Sequence, residues 1–179
     1  MLLLEIFKKR GDNVNKQIYL AGGCFWGTEA YFSKLKGVAR TLCGYANGNT
    51  VNPTYEEVCH SDTGHAETVL VEYDPSVIPT EKILTEFFKT IDPTTENRQG
   101  YDIGSQYRSG IYYVDETDAP IIQSFAQKKQ EEYAKPIVTE ILPLIGFYPA
   151  EEYHQNYLDK NPNGYCHVDL SQISEEDRK

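Results

Sequence analysis

The chain has 179 residues, 40% of them hydrophobic, and a formal net charge of −10. This length and apolar content suit a single domain with a sizeable core, which we assign to residues 1–179. The acidic balance argues against a nucleic-acid partner, because such binding relies on Lys and Arg side chains to neutralise phosphates.

The sequence also argues against export and membrane insertion. No apolar run approaches the ~20 residues of a membrane span. The short run Met1–Leu4 is broken at Glu5 and followed by basic residues, whereas a signal peptide carries its basic residues first. The four cysteines are scattered without a CxxC pair, unlike those of a small secreted disulfide scaffold. We therefore expect a monomer in the cytoplasm, with no membrane partner.

The pattern of apolar residues predicts alternating strands and helices. Runs bounded by turn residues predict strands at 18–21, 38–45, 68–73, 110–114 and 137–142. Helical periodicity predicts helices at 28–36, 79–90 and 118–134, the last with Asp118 as N-cap. The order βαββαβ, then αβ, predicts an α+β fold: a ferredoxin-like α/β plait with helices on one face and an extra helix and strand.

Three further segments complete this organisation. Residues 1–15 form an N-terminal extension before the first strand. Long polar loops at 46–65 and 92–106 are candidate sites of function, since binding and catalytic residues concentrate on loops. Residues 158–179 contain Pro and Gly and are predicted to form an extended, flexible C-terminal arm.

The most informative segment is Gly22-Gly23-Cys24-Phe25-Trp26-Gly27. It follows the first predicted strand and precedes the first predicted helix, so Cys24 is expected at a helix N-terminus. Free backbone N–H groups and the helix dipole favour an anion there, which predicts a thiolate. The alternative is a buried structural thiol, the commoner use of cysteine. The flanking glycines favour the first interpretation, because they allow close backbone approach to a ligand.

Several ordered motifs surround this segment and extend over residues 16–170. They are Gly44-Tyr45-Ala46-Asn47-Gly48, Pro53-Thr54-Tyr55-Glu56-Glu57-Val58-Cys59, Thr63-Gly64-His65-Ala66-Glu67 and Asp102-Ile103-Gly104-Ser105-Gln106-Tyr107-Arg108-Ser109. Together with the cysteine segment, they resemble the A-type peptide methionine sulfoxide reductases. The resemblance implies the same plait-like fold, no cofactor and no metal.

The resemblance also implies a reaction and its principal residues. Cys24 matches the thiolate that attacks the sulfoxide sulfur, and Glu67 matches the acid that protonates the departing oxygen. The products are methionine and a cysteine sulfenic acid, which a second thiol converts to a disulfide. Cys166 matches that resolving thiol. The substrate is then methionine S-sulfoxide, free or in proteins, and thioredoxin is the expected reductant.

The remaining matched positions bind substrate. Tyr55 and Tyr107 match two tyrosines whose hydroxyls bind the sulfoxide oxygen. Phe25 and Trp26 match the pocket for the substrate methyl group, and Asp102 matches a carboxylate that orients substrate or water.

Each of these residues also has a plainer interpretation. Glu67 could be an exposed carboxylate at a strand end, and either tyrosine a half-buried ring with a wet hydroxyl. Asp102 could form an Asx turn before Gly104. The other cysteines are interpreted as structural: Cys43 lies on a strand and Cys59 at a loop edge.

Three alternative functions use the same residues. The pairs Cys59-His60 and Cys166-His167 with His65 could bind zinc, although their spacing fits no common zinc motif. Cys24 could pair with His65 or His154 in a cysteine hydrolase. A redox-sensing or protein-binding module would keep the cysteines without turnover.

Overall fold

The computed structural model describes residues 14–179, so the predicted N-terminal extension lies almost entirely outside the described residues. The described part is a mixed α+β fold. Its strands are β1 Lys16–Gly22, β2 Val38–Ala46, β3 Ala66–Tyr73, β4 Arg98–Gln99, β5 Asp102–Ile103, β6 Ser109–Tyr113, β7 Glu140–Pro143 and β8 Phe147–Pro149. Its helices are α1 Phe25–Phe32, α2 Tyr55–His60, α3 Thr80–Lys89, α4 Asp118–Gln130 and α5 Tyr157–Lys160.

Six strands form one sheet in the order β7-β6-β1-β3-β2-β8, and β4 and β5 form a separate hairpin. Neighbouring strands in the run β6-β1-β3-β2-β8 are antiparallel. Strand β7 pairs with β6 in parallel at one edge of the sheet. In the centre Leu20 lies opposite Val69 on one side and Ile111 on the other. Strand β1 therefore ends, and α1 begins, in the middle of the sheet rather than at its edge.

The two faces of the sheet bury different amounts of apolar surface. Because side chains alternate along a strand, Ile18 and Leu20 face the main core, whereas Tyr19 faces the opposite side. Helices α1, α3 and α4 all contribute to the main core, through residues such as Phe32, Phe87 and Ile122. The opposite face is smaller and is covered by Phe147 and nearby loop residues. Among the described residues, no helix is long and apolar enough to cross a membrane.

The prediction of element order is confirmed, but several details are wrong. Helix α1 begins at Phe25 instead of Thr28, and Thr117 rather than Asp118 is the N-cap residue of α4. The Asp118 carboxylate instead pairs with the Lys16 ammonium. The elements α2, β4, β5, β8 and α5 were not predicted from the sequence.

The C-terminal arm is packed against the domain rather than extended. Val168 and Ile173 are buried in the main core, and the Lys179 backbone N–H donates to the Lys34 carbonyl at the end of α1. An isolated bridge joins Leu35 to Arg178. The prediction of a free, flexible arm is therefore wrong, because apolar residues in this polar segment contribute to the core.

Candidate active site

Cys24 is the N-cap residue of α1, at the point where β1 ends. The chain turns sharply through Gly23, whose φ is +82°, a conformation that favours glycine. A Cβ atom at Gly23 would lie 2.6 Å from the Gln99 Cβ, so a side chain there would clash with the β4–β5 hairpin. The predicted strand-to-helix position of Cys24 is confirmed.

The predicted charge of Cys24 is wrong for the resting protein. The residue is only 7% exposed, and burial raises the pKa of its thiol well above the ordinary value. The negative charges of Glu67 and Asp102 raise this pKa further, whereas the Trp26 backbone N–H lowers it. Desolvation and carboxylates therefore outweigh the helix N-terminus, and Cys24 is a protonated thiol at neutral pH.

Glu67 lies on β3 with its carboxyl group buried beside the start of α1. The residue is 1% exposed, so the interpretation as an exposed strand-end carboxylate is wrong. The Phe25 backbone N–H donates to Glu67 Oε2 at 3.1 Å. Burial raises the pKa of Glu67 to about 8, against the opposing effect of this hydrogen bond. Most Glu67 side chains are therefore neutral at pH 7 and carry a proton that can be donated.

The ionisations of Cys24 and Glu67 are coupled. A charged Glu67 raises the pKa of Cys24, and this effect vanishes when Glu67 is protonated. As pH rises, one of the two side chains consequently loses its proton while the other keeps its own, and the two do not ionise together. One buried site therefore contains a proton donor, Glu67, and a thiol, Cys24, that can become a thiolate.

Tyr55 and Tyr107 approach the same site from two different loops. Tyr55 begins α2, where its backbone N–H donates to Glu151 Oε2 at 3.0 Å. Tyr107 ends a short 3₁₀ turn at 105–107. Burial raises the pKa of both hydroxyls, and the Glu67 charge adds to the effect. Both hydroxyls therefore stay protonated and can donate hydrogen bonds next to Glu67.

Cys59 is closer to this site than the sequence indicates. It lies within α2 rather than at a loop edge, and its thiol interacts with the hydroxyls of Tyr55 and Tyr107. Helix α2 begins with a capping box formed by Thr54 and Glu57, a sequence signal that could have predicted this helix.

Asp102 lies on β5, and its carboxylate accepts a hydrogen bond from the Tyr165 hydroxyl. Partial desolvation of the exposed Tyr165 side chain and, after it, that bond raise the pKa of Tyr165 to about 12. The other carboxylate oxygen, Oδ2, is buried and has no hydrogen-bond partner in the described part of the chain. The Gly104 N–H donates to the Asn97 carbonyl, so the Asx-turn interpretation of Asp102 is wrong.

Trp26 belongs to an aromatic cluster that the sequence analysis did not find. Its indole N–H donates to His154 Nδ1 at 3.1 Å, and its ring stacks on Tyr157 at a centroid distance of 3.7 Å. The His154 ring also contacts Phe25 and Tyr55. The hydrogen bond to His154 and the stacking on Tyr157 therefore fix the orientation of the indole.

Cys166 lies above the first turn of α1. Its sulfur would be 3.2 Å from a Cβ atom at Gly27, and its thiol donates to the Val168 carbonyl at 3.2 Å. Next to it, His167 Nε2 forms a 2.8 Å hydrogen bond with the Gly22 carbonyl, which ties the arm to the end of β1. Both thiols are free, and Cys166 lies over the turn of α1 that begins at Cys24.

The geometry does not support the two alternative sites. His65 is held by the Gly48 N–H and the Thr50 carbonyl, and His154 accepts from Trp26, so neither histidine is paired with Cys24. Among residues 14–179 no cluster of three or more potential ligands could hold a metal ion.

Comparisons with known proteins agree with the motifs. The sequence model of the peptide methionine sulfoxide reductase family matches residues 16–179. The peptide methionine sulfoxide reductase MsrA of Clostridium acetobutylicum is 60% identical over 153 residues, covering 86% of this chain and 94% of that protein. The MsrA of Lachnoclostridium phytofermentans is 59% identical over 155 residues, covering 87% and 93% of the two chains.

Solved structures extend the likeness to the fold. Reduced Mxr1 from Saccharomyces cerevisiae aligns with a TM-score of 0.82 at 41% identity, covering 88% of this chain and 92% of that one. Mxr1 in complex with Trx2 aligns with a TM-score of 0.58 at 28% identity, covering 85% and 91%. The matched span, the sequence identities and the shared fold together show that this chain belongs to the peptide methionine sulfoxide reductase family.

Proposed function

We propose that this chain reduces methionine S-sulfoxide, free or in proteins, with Cys24 as the nucleophile and Glu67 as the proton donor. One observation carries the assignment: a thiol at the N-cap of α1 shares a buried site with a carboxyl group whose pKa is raised to about 8. Sulfoxide reduction requires both an attacking sulfur and a source of protons for the oxygen. The family membership of the chain supports this chemistry.

In the first step the Cys24 thiol gives its proton to the ionised Glu67 carboxylate, and the Cys24 sulfur attacks the sulfoxide sulfur. The oxygen gains negative charge and accepts a proton from Glu67. Donation from the hydroxyls of Tyr55 and Tyr107 stabilises this charge. The net reaction transfers the oxygen atom from the substrate to Cys24, which becomes a sulfenic acid, and releases methionine.

The substrate methyl group is assigned to the aromatic cluster of Phe25 and Trp26. Burial of one methyl-sized group contributes roughly 0.8 kcal/mol. The hydrogen bond from Trp26 to His154 and the stacking on Tyr157 hold the indole in one orientation. We assign Asp102 to orienting substrate or water, because its buried Oδ2 has no partner among the described residues.

In the second step the Cys166 thiol condenses with the sulfenic acid, which forms a disulfide and releases water. The position of Cys166 above α1 supports this role. Thioredoxin then reduces the disulfide through thiol–disulfide exchange. The complex of the related Mxr1 with Trx2 supports this choice of reductant.

We extend the proposal to the organisation of the protein. The central strands follow the order β6-β1-β3-β2, which supports the ferredoxin-like plait. The arm packs on α1, which supports one domain with the C-terminal residues included. Four free cysteines suit a cytoplasm that keeps thiols reduced.

The stereochemistry of the reaction tests this function. One methyl pocket and one set of oxygen donors fit only one epimer, so NADPH oxidation with thioredoxin and thioredoxin reductase should follow the S-sulfoxide of N-acetylmethionine. The R-sulfoxide should support little oxidation. Equal rates with both epimers would contradict the assigned pocket, and no N-acetylmethionine from either would contradict the function.

A further inference from the structure

His167 lies across the turn that carries Cys24. Its Nε2 atom is hydrogen-bonded to the Gly22 carbonyl at 2.8 Å and would lie 3.3 Å from a Cβ atom at Gly23. Its Nδ1 atom would lie 3.4 Å from a Cβ atom at Gly27. The imidazole ring therefore reaches from the residue before Cys24 to the first turn of α1.

The two ring nitrogens of His167 differ in their bonding. A carbonyl oxygen only accepts hydrogen bonds, so Nε2 carries the proton of the neutral ring and Nδ1 carries a lone pair. Nδ1 is buried and has no hydrogen-bond partner among residues 14–179. Burial lowers the pKa of His167, against the opposing effects of the Gly22 carbonyl and the Asp102 charge. The ring is therefore neutral at pH 7 and has an unused acceptor inside the site.

The Cys166 thiol lies beside this acceptor. A Cβ atom at Gly27 would lie 3.2 Å from Cys166 Sγ as well as 3.4 Å from His167 Nδ1, so both atoms border the same small volume over α1. The thiol donates to the Val168 carbonyl at 3.2 Å, and rotation about the Cβ–Sγ bond redirects its hydrogen without moving the sulfur. Because Gly27 has no side chain, nothing at that position separates the sulfur from the ring nitrogen.

The electrostatics of the site favour a neutral base for the second step. A thiolate is the nucleophilic form of cysteine. The charges of Glu67 and Asp102 already raise the pKa of the Cys24 thiol, and a second free thiolate beside these carboxylates is unfavourable for the same reason. A neutral imidazole removes a thiol proton only as the new bond forms, and nearby carboxylates stabilise the positive charge that the ring then gains.

We propose that His167 is a catalytic residue of the second step, in which its Nδ1 atom accepts the proton of the Cys166 thiol as the Cys166 sulfur attacks the Cys24 sulfenic acid. The inference rests on the proposed function, which supplies the sulfenic acid. The S–S bond forms and the S–O bond of Cys24 breaks, so Cys166 is oxidised and the Cys24 sulfur is reduced. Nδ1 returns the proton to the departing hydroxide, which leaves as water.

The variant His167→Gln tests this role, because its amide N–H can replace Nε2 as donor to the Gly22 carbonyl but supplies no base. The protein is mixed with N-acetylmethionine S-sulfoxide without reductant and quenched at intervals. N-acetylmethionine reports the first step, and the protein mass distinguishes the sulfenic acid from the disulfide. Disulfide formation should slow by about 10²-fold at pH 7, the lower end of the effect of general base catalysis, and the sulfenic acid should accumulate.

A matched variant controls for the loss of a histidine in general. His60 is exposed at the end of α2, so His60→Gln should form the disulfide at the wild-type rate. Disulfide formation in His167→Gln at the wild-type rate would overturn the proposal. A first step slowed as much as the second would show that the variant disturbs the whole site, which also overturns it.

The pH dependence of disulfide formation separates a base from a structural contact. The titratable groups around His167 are Asp102, Cys24, Tyr165 and Cys166. Between about pH 6.5 and 7.5 the wild-type rate should stay constant, because the imidazole is already neutral. In His167→Gln the rate should rise by up to about tenfold per pH unit, since hydroxide then has to form the thiolate. A loss by the same factor at every pH would assign His167 to holding the arm and overturn the proposal.

These measurements separate the inference from the proposed function. Wild-type protein that forms N-acetylmethionine and the disulfide, with His167→Gln forming both equally fast, contradicts the role of His167 alone. Wild-type protein that forms no N-acetylmethionine contradicts the proposed function and the inference together.

Discussion

The molecule contains two buried pairs of a cysteine and a glutamate, and they differ in how fully their polar atoms are bonded. In the first pair Cys24 lies near Glu67, which accepts one backbone N–H. In the second, the Cys43 thiol donates to Glu29 Oε2 at 3.0 Å, and Glu29 Oε1 accepts from the Asn156 backbone N–H.

Under the proposed function, this difference separates a reactive pair from a structural one. Burial raises the pKa of both glutamates and both cysteines. Cys43 is completely buried and already bonded to Glu29, so no substrate can approach its sulfur. Cys24 lies at a helix N-terminus beside a carboxyl group with bonding capacity to spare. Since all four residues are buried, the proposal distinguishes the two pairs by their unused hydrogen-bonding capacity.

The largest expected difference between the pairs concerns the cysteines. Cys24→Ser should abolish reduction of the substrate, because no sulfur remains to accept the oxygen. Cys43→Ser should still form one equivalent of reduced substrate per enzyme in a single turnover. Chromatographic measurement of N-acetylmethionine formed from N-acetylmethionine S-sulfoxide checks this. A folded Cys43→Ser protein as inactive as Cys24→Ser would show that both pairs take part in the reaction.

The glutamates should differ by a smaller but still large factor. Glu67→Gln keeps the shape and removes the acid, so the chemical step should slow by about 10²–10⁴-fold, the usual effect of general acid catalysis. Glu29→Gln should change this step by no more than a few-fold, because Glu29 bonds Asn156 and Cys43 instead of substrate. Rapid-quench single-turnover rates measure both variants; a rate for Glu67→Gln within a few-fold of wild type would remove Glu67 from its role.

The pH dependence of the reaction should report the shared proton of the first pair. The reactive form has lost one proton from Cys24 and Glu67 together, and the first such loss has an apparent pKa of about 8, that of Glu67. The single-turnover rate at low substrate should therefore rise with pH to about 8 and then level off. In Glu67→Gln only the thiol titrates, so the rate should keep rising above pH 8. A wild-type profile that levels off below pH 6 would contradict the raised pKa of Glu67.

The sequence predicted the positions of the site better than its electrostatics. The glycines around Cys24 and the following helical pattern place the thiol at a helix N-terminus, since these are local properties. Its protonation depends first on burial and then on the charges of Glu67 and Asp102, and only the tertiary fold supplies both. Likewise, the hydrogen bond from Trp26 to His154 joins residues 128 positions apart and has no local signal.

Among the elements, the missed features have different physical causes. Helix α2 was readable from the capping box of Thr54 and Glu57, but its length of six residues left no clear apolar periodicity. The packing of the C-terminal arm depends on isolated apolar residues, Val168 and Ile173, within a polar segment. Such isolated contacts do not form a sequence pattern, so only the folded structure reveals them.

The smallest expected effect is on stability rather than on activity. Here Glu29→Gln should have a larger effect than Glu67→Gln. In Glu29→Gln an NH2 group takes the place of one carboxylate oxygen, so either the hydrogen bond from the Asn156 N–H or the contact with Cys43 is lost. This loss should lower the free energy of unfolding by about 1–3 kcal/mol. Glu67→Gln should destabilise the fold less at pH 8, because a neutral side chain avoids the cost of a buried charge. Urea unfolding at pH 8 compares them; equal losses would show that both glutamates are structural.

The fate of the four cysteines after one turnover tests the central claim most directly. Wild-type protein is mixed with S-sulfoxide without reductant, alkylated, digested and mapped by mass spectrometry. The account predicts one methionine per enzyme, a disulfide between Cys24 and Cys166, and alkylated thiols at Cys43 and Cys59. Methionine formed while Cys24 remains an alkylatable thiol, with the oxidation found at Cys43 or Cys59, would contradict the account.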